Sequence, residues 1–285
     1  MTIPSKFIKR IKDYKKSMKI LDCANYIYLD KINNFEFYKI SKYRKSKNLY
    51  DKIICDFKLA NELIIRQDLL NAATILRALY ENIIYIIASS FDKTLKITID
   101  IRPNQLRKIL EENCKTLFTD YFEQEDFNYI YSYLCKLVHP GSIKELLSYM
   151  GKTVKYKNYL LGNLKYIMIT IEYMYLNFLN KKIWNEENQF NLNIIDLCSY
   201  INFINISYFI DDVKDNKSYI KRYFYYDTNN KYINDNQKKL KDSCEKIINE
   251  KDWYTKYIKL ITEELNEQIK NSKYNEVVYK ILNDK

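Results

Sequence analysis

Apolar residues recur at steps of three and four in two stretches of the first part of this chain. In residues 5–30 they fall at Phe7, Ile11, Tyr14, Met18 and Leu21, and in 48–66 at Leu49, Ile53, Phe57 and Ile64. That spacing places them on one face of a helix and predicts two amphipathic helices. The next stretch, LLNAATILRALYENIIYIIASSF (69–91), is apolar almost all round and follows Asp68, a residue suited to capping a helix start. Pro103 fits the first turn of a helix over about 103–115, where its missing N–H has no partner to lose. A helix from about 123 to 138 opens with QEDF, acidic residues at the positive end of its dipole. The stretch LVHPGS then stops it, because Pro140 disfavours helical geometry before it and Gly141 accepts left-handed angles. Helices over about 142–150, 156–182 and 193–212 follow, and 235–285 reads as two more. Thr98 to Asp100 is β-branched but too short for a strand.

These elements predict an all-α fold, a helical bundle with an appended C-terminal helical subdomain. The polar run WNEENQFNLN (184–193) marks the boundary, giving units of 1–185 and 186–285. Composition agrees with helices. The chain has 285 residues but only three glycines and three prolines, too few for the many turns of an all-β fold. The weight of Lys, Asn, Ile and Tyr resembles the bias of an AT-rich genome and accounts for many of the 29 tyrosines without a functional cause.

Charge adds an expectation about partners. Residues 1–58 carry 15 Lys/Arg against 6 Asp/Glu, while the rest carry 32 against 30. A basic N-terminal region fits an anionic partner, most simply a nucleic acid, although lysine bias on a solvated face would leave the same record. The two most apolar stretches contain Arg77 and Glu81, and Lys165 and Glu172, which a membrane span tolerates poorly. No leader-like apolar segment follows the basic N-terminus, and six scattered cysteines without a CxxC fit reduced thiols in a cytoplasmic protein. No cofactor or metal site is expected. Glycine-rich phosphate loops, GxSxG and HExxH are missing, and one histidine cannot complete a usual Cys/His zinc set.

Two places carry candidate chemistry. In ILRALYENI, Arg77 and Glu81 stand four apart on one helical face, and Glu62 and Arg66 repeat that spacing on the preceding helix. Charges in helices this apolar need a partner or an open cleft, so they form either a satisfied ion-pair network between two core helices or an anion-binding Arg held by Glu. The second place is His139, the sole histidine. At a helix C-terminus the dipole favours its protonated form and brings its titration toward neutral pH, where it can take or give a proton. Lys136, Tyr131 and Tyr133 stand close enough in sequence to add cationic and hydroxyl groups. The plainer alternative is a helix-terminating histidine bonded to nearby carbonyls.

RALYEN followed by YSYLCKLVHPGS resembles HEPN-like helical proteins of bacteria, over roughly residues 45–182. The resemblance implies an all-α bundle, often a homodimer, found in toxin–antitoxin and phage-defence systems, whose active members are metal-independent ribonucleases. Their motif sets an Arg before the His with four to six residues between them. Here Ser132, Tyr133 and Leu134 occupy the positions before His139 without an Arg, and Lys136 is too close. Arg77 from another helix is the candidate replacement. The implied mechanism makes His139 the base at an RNA 2′-hydroxyl, with Arg77 or Lys136 meeting the phosphate charge and Glu81 fixing Arg77. Lys136, Tyr133 and Arg66 would help bind substrate. Two other readings stay open. One is a non-catalytic helical interaction protein of the immunity or antitoxin kind. The other is a DNA-binding regulator, against which residues 1–66 show no helix-turn-helix glycine turn.

Overall fold

The computed structural model describes residues 5–34, 47–91, 124–138, 154–179, 194, 197, 198, 201, 239, 242–244, 246, 247, 250 and 252–284. Among these every regular element is a helix: α1 (Ser5–Asn33), α2 (Lys47–Ile65), α3 (Leu69–Phe91), α4 (Gln124–Val138), α5 (Val154–Leu179), α6 (Trp253–Ile269) and α7 (Asn275–Asn283). The all-α expectation is therefore met. Expected helices over 103–115 and 142–150 lie outside the described residues, as do Pro140, Gly141 and most of 193–212.

The chain divides into two compact units, Met1–Ile27 with Phe190–Lys285, and Tyr28–Gln189. This differs from a division into 1–185 and 186–285, because the first 27 residues associate with the C-terminal part of the chain. Such long-range pairing leaves no local mark in the sequence.

In the unit of residues 28–189, α3 is central and packs against α2, α4 and α5, while α2 also touches α5. Its own pattern explains this. Ala72, Ala73, Leu76, Leu79, Tyr80, Ile83, Ile84, Ile87 and Ala88 are all wholly buried. They wrap too far round the helix for one contact face. Tyr50 and Phe57 of α2 and Tyr175 of α5 fill the space between those two helices, with ring centroids 6.4 and 6.3 Å apart. The Tyr50 hydroxyl donates to the Ile32 carbonyl at 2.8 Å and so satisfies an acceptor at the end of α1.

The turn from α2 to α3 shows how a glycine-poor chain ends a helix. Gln67 adopts φ of 60°, its N–H bonds the Ile64 carbonyl at 3.0 Å, and the Asp68 N–H bonds the Leu63 carbonyl at 2.9 Å. This is a Schellman closure with glutamine where glycine is usual. Asp68 then starts α3: its carbonyl accepts from the Ala72 N–H at 3.0 Å and its carboxylate from the Asn71 side chain at 2.8 Å.

In the other unit α6 buries Tyr254, Tyr257, Ile258, Ile261, Thr262, Leu265 and Ile269, the stripe its spacing dictates. Thr255 donates to Asp13 of α1 at 2.6 Å.

No helix among the described residues is long and apolar enough to cross a membrane.

Candidate functional site

Arg77 lies two turns into α3, on the side that faces α4. Its Nε donates to Glu81 Oε1 at 3.2 Å, and its guanidinium carbon sits 5.9 Å from the centre of the Tyr131 ring. The ring of Tyr80 tilts against Tyr131 with centroids 6.4 Å apart. Tyr131 in turn hydrogen-bonds Cys135, one turn further along α4. Arg77, Glu81, Tyr131 and Cys135 thus form one cluster across the α3–α4 contact.

The cluster is open to water. The Arg77 and Glu81 side chains are 27% and 36% exposed. A pair this wet contributes only about 0.3–0.5 kcal/mol to stability, so its arrangement matters more than its energy. Partial burial works against the charge on Arg77, but Cys135, the Glu81 carboxylate and Tyr131 outweigh it and leave the guanidinium more firmly protonated than usual. Burial, the Cys135 contact and the charge of Glu81 push the Tyr131 phenol up, against the pull of Arg77. The cluster therefore offers a permanent cation backed by a carboxylate and flanked by an aromatic face. That arrangement suits an anion with an attached flat ring, and phosphate with a base is one such group.

The other sequence candidates go elsewhere. Tyr133 is two residues from Tyr131 and so points to another side of α4. There its hydroxyl accepts a hydrogen bond of 3.1 Å from Asn163 of α5, which is 1% exposed. Arg66 pairs with Glu62 on the surface end of α2, the two side chains 70% and 53% exposed. An ion-pair network between two core helices does not form from these residues: each pair closes within its own helix, because four-residue spacing already brings the partners together. Lys136 is exposed in the last turn of α4. His139 lies outside the described residues, one position past the end of α4.

Three further polar side chains were given no role by the sequence. Cys135 carries only a weak signal, its four-residue step from Tyr131. Asn163 is a polar residue in an apolar helix, and its Oδ1 is buried without a hydrogen-bond partner. Glu172 in α5 is wholly buried, and neither carboxyl oxygen has a hydrogen-bond partner. Burial pushes its pKa well above the ordinary carboxylate range. Its sequence signal was its place in an almost wholly apolar run.

Among the described residues no three His, Cys, Asp or Glu side chains group to hold a metal ion. Cys23, Cys198 and Cys244 are buried, Cys135 is half-buried and Cys55 exposed. No protein-family model matches this chain, and no curated protein or solved structure does either.

Proposed function

We propose that this chain is a HEPN-like helical protein that binds RNA and cleaves it without a metal ion, as part of a toxin–antitoxin or phage-defence system. The observation that supports this reading most is the placement of Arg77. It reaches from α3 onto α4 at Tyr131, eight residues before His139 in the sequence, which supports it as the cation that the local motif lacks. In this reading Glu81 and the Tyr131 ring fix the guanidinium. Arg77 meets a phosphate oxygen as negative charge develops there. His139 accepts the 2′-hydroxyl proton. The freed oxygen attacks the adjacent phosphorus, and the 5′-oxygen leaves with a proton to give a cyclic phosphate. Lys136 adds charge near the same helix end, and the basic residues of 1–58 hold the backbone. A homodimer would bring two such helix ends to one strand.

A second reading rests on the same pair. Glu81 already neutralises Arg77, which suits a helical protein-interaction module of the antitoxin or immunity kind that needs no reaction.

The deciding experiment incubates the purified protein with total RNA, with and without EDTA, beside His139→Ala and Arg77→Ala. Cleavage that survives EDTA, disappears in His139→Ala and falls about a hundredfold or more in Arg77→Ala is expected. Intact RNA in every lane transfers the protein to the interaction reading, and cleavage untouched by His139→Ala removes the mechanism.

A further inference from the structure

α7 is nine residues long and buries only one of its own side chains, Val278. A helix this short does not hold its shape alone in water, so α7 is ordered by what it lies on. Three contacts join it to α1, in antiparallel order. The rings of Tyr26 and Tyr274 meet edge to face at 6.4 Å. The Cys23 thiol approaches the Val278 carbonyl at 4.0 Å, and the Lys19 ammonium donates to the Asp284 carbonyl. Tyr274, at the N-cap of α7, makes no side-chain capping bond, and Tyr279 is 68% exposed. The helix before it is held quite differently: α6 buries seven side chains and is tied to α1 through Thr255 and Asp13.

We propose that α7 is a latch, which opens and closes over α1 while α6 stays docked, and that Lys19 and Cys23 are what it covers. The difference in buried side chains carries this inference. Local opening starts where few apolar groups must be released to water, and α7 releases Val278 with the adjoining Tyr274 where α6 would release a whole stripe. When the latch is closed, Cys23 is fully buried. Its thiol is pushed up to about 12 by burial and by Asp22, against the effect of Lys19. Such a thiol is unreactive, because thiol chemistry needs the thiolate. Opening returns the thiol to water. It also frees the Lys19 ammonium beside the exposed Lys15, four residues earlier on the same face of α1. The uncovered strip therefore presents Lys15, Lys19 and Asp22 beside a thiol.

The test is trace alkylation of the native full chain at mildly alkaline pH, read residue by residue from peptide masses. Cys23, Cys198 and Cys244 are all buried, so the last two report any general unfolding. Val278→Ala is expected to raise labelling of Cys23 by about tenfold or more, with Cys198 and Cys244 unchanged. Tyr279→Ser, which alters an exposed side chain of the same helix, should leave all three as they are. If Cys23 does not respond, or rises only in step with Cys198 and Cys244, α7 is not a latch. Amide exchange on the unsubstituted chain gives an answer independent of whether Val278→Ala folds. Exchange within α7 should be faster than within α6, and equal protection of the two helices overturns the proposal.

Discussion

A single buried carboxyl ties the stability of the protein to pH. Unfolded, the Glu172 carboxyl titrates near its ordinary value of 4.5; folded, burial holds it well above that. Below the unfolded value both states keep the proton and ionisation costs nothing. As pH rises past it, the unfolded chain releases a proton that the folded chain retains. Stability then falls until the raised folded value is reached, and levels off beyond it. Glu172→Met, similar in volume and without a polar group to satisfy, should remove that slope and raise stability at neutral pH by about 1–3 kcal/mol. Urea midpoints of both proteins, taken at about pH 5 and about pH 8, decide it. The substituted protein should gain more at the higher pH, and an equal gain at both would show that Glu172 is not the group responsible. The sequence displayed this glutamate inside an apolar run but not its missing partner, since a partner is a matter of which helices meet.

At the scale of helices, the chain was read well where the information is local. Steps of three and four mark α1 and α2, start and stop residues and apolar runs mark α3 to α5, and the four-residue spacing of Arg77 and Glu81 gives their ion pair. What lay between helices was not readable. No spacing tells that Tyr131 of α4 stacks on Arg77 of α3, nor that Tyr133 turns away to Asn163. Helix ends were half legible, for Asp68 could be picked out as a start while Gln67 could not be picked out as a stop. A residue with a Cβ pays about 1–2 kcal/mol for the left-handed conformation that Gln67 adopts, and glycine does not. Gln67→Gly is therefore expected to stabilise the protein by about 0.5–1 kcal/mol, part of the relief being lost to the greater freedom of an unfolded glycine. Thermal denaturation measures this, and a lower melting temperature would mean that the Gln67 side chain does more than occupy a turn.

For the molecule as a whole, the sign and distribution of charge set the expectation. With 15 basic residues against 6 acidic in 1–58 and near balance elsewhere, the proposed RNA binding should be mostly electrostatic. Its affinity should fall at least tenfold between about 50 and 200 mM salt. Filter binding across that range checks it, and a flat response would move the contact away from the basic residues. The same N-terminal stretch shows where sequence reading stops. Its first 27 residues join the C-terminal part of the chain, through contacts such as Cys23 with Val278, 255 positions away.

The buried tyrosines leave one further mark on the molecule. A core of leucine and isoleucine accepts many arrangements of nearly equal energy, and one helix can slip past another with little penalty. The phenol of Tyr50 has no such tolerance, since its hydroxyl reaches the Ile32 carbonyl in one alignment of α2 with the end of α1. A slip by one turn would strand a donor in a dry interior. A nucleotide bias that supplies tyrosine where other genomes supply leucine would thus also supply a proofreading device, in which misalignment is rejected by a lost hydrogen bond as well as by poor fit.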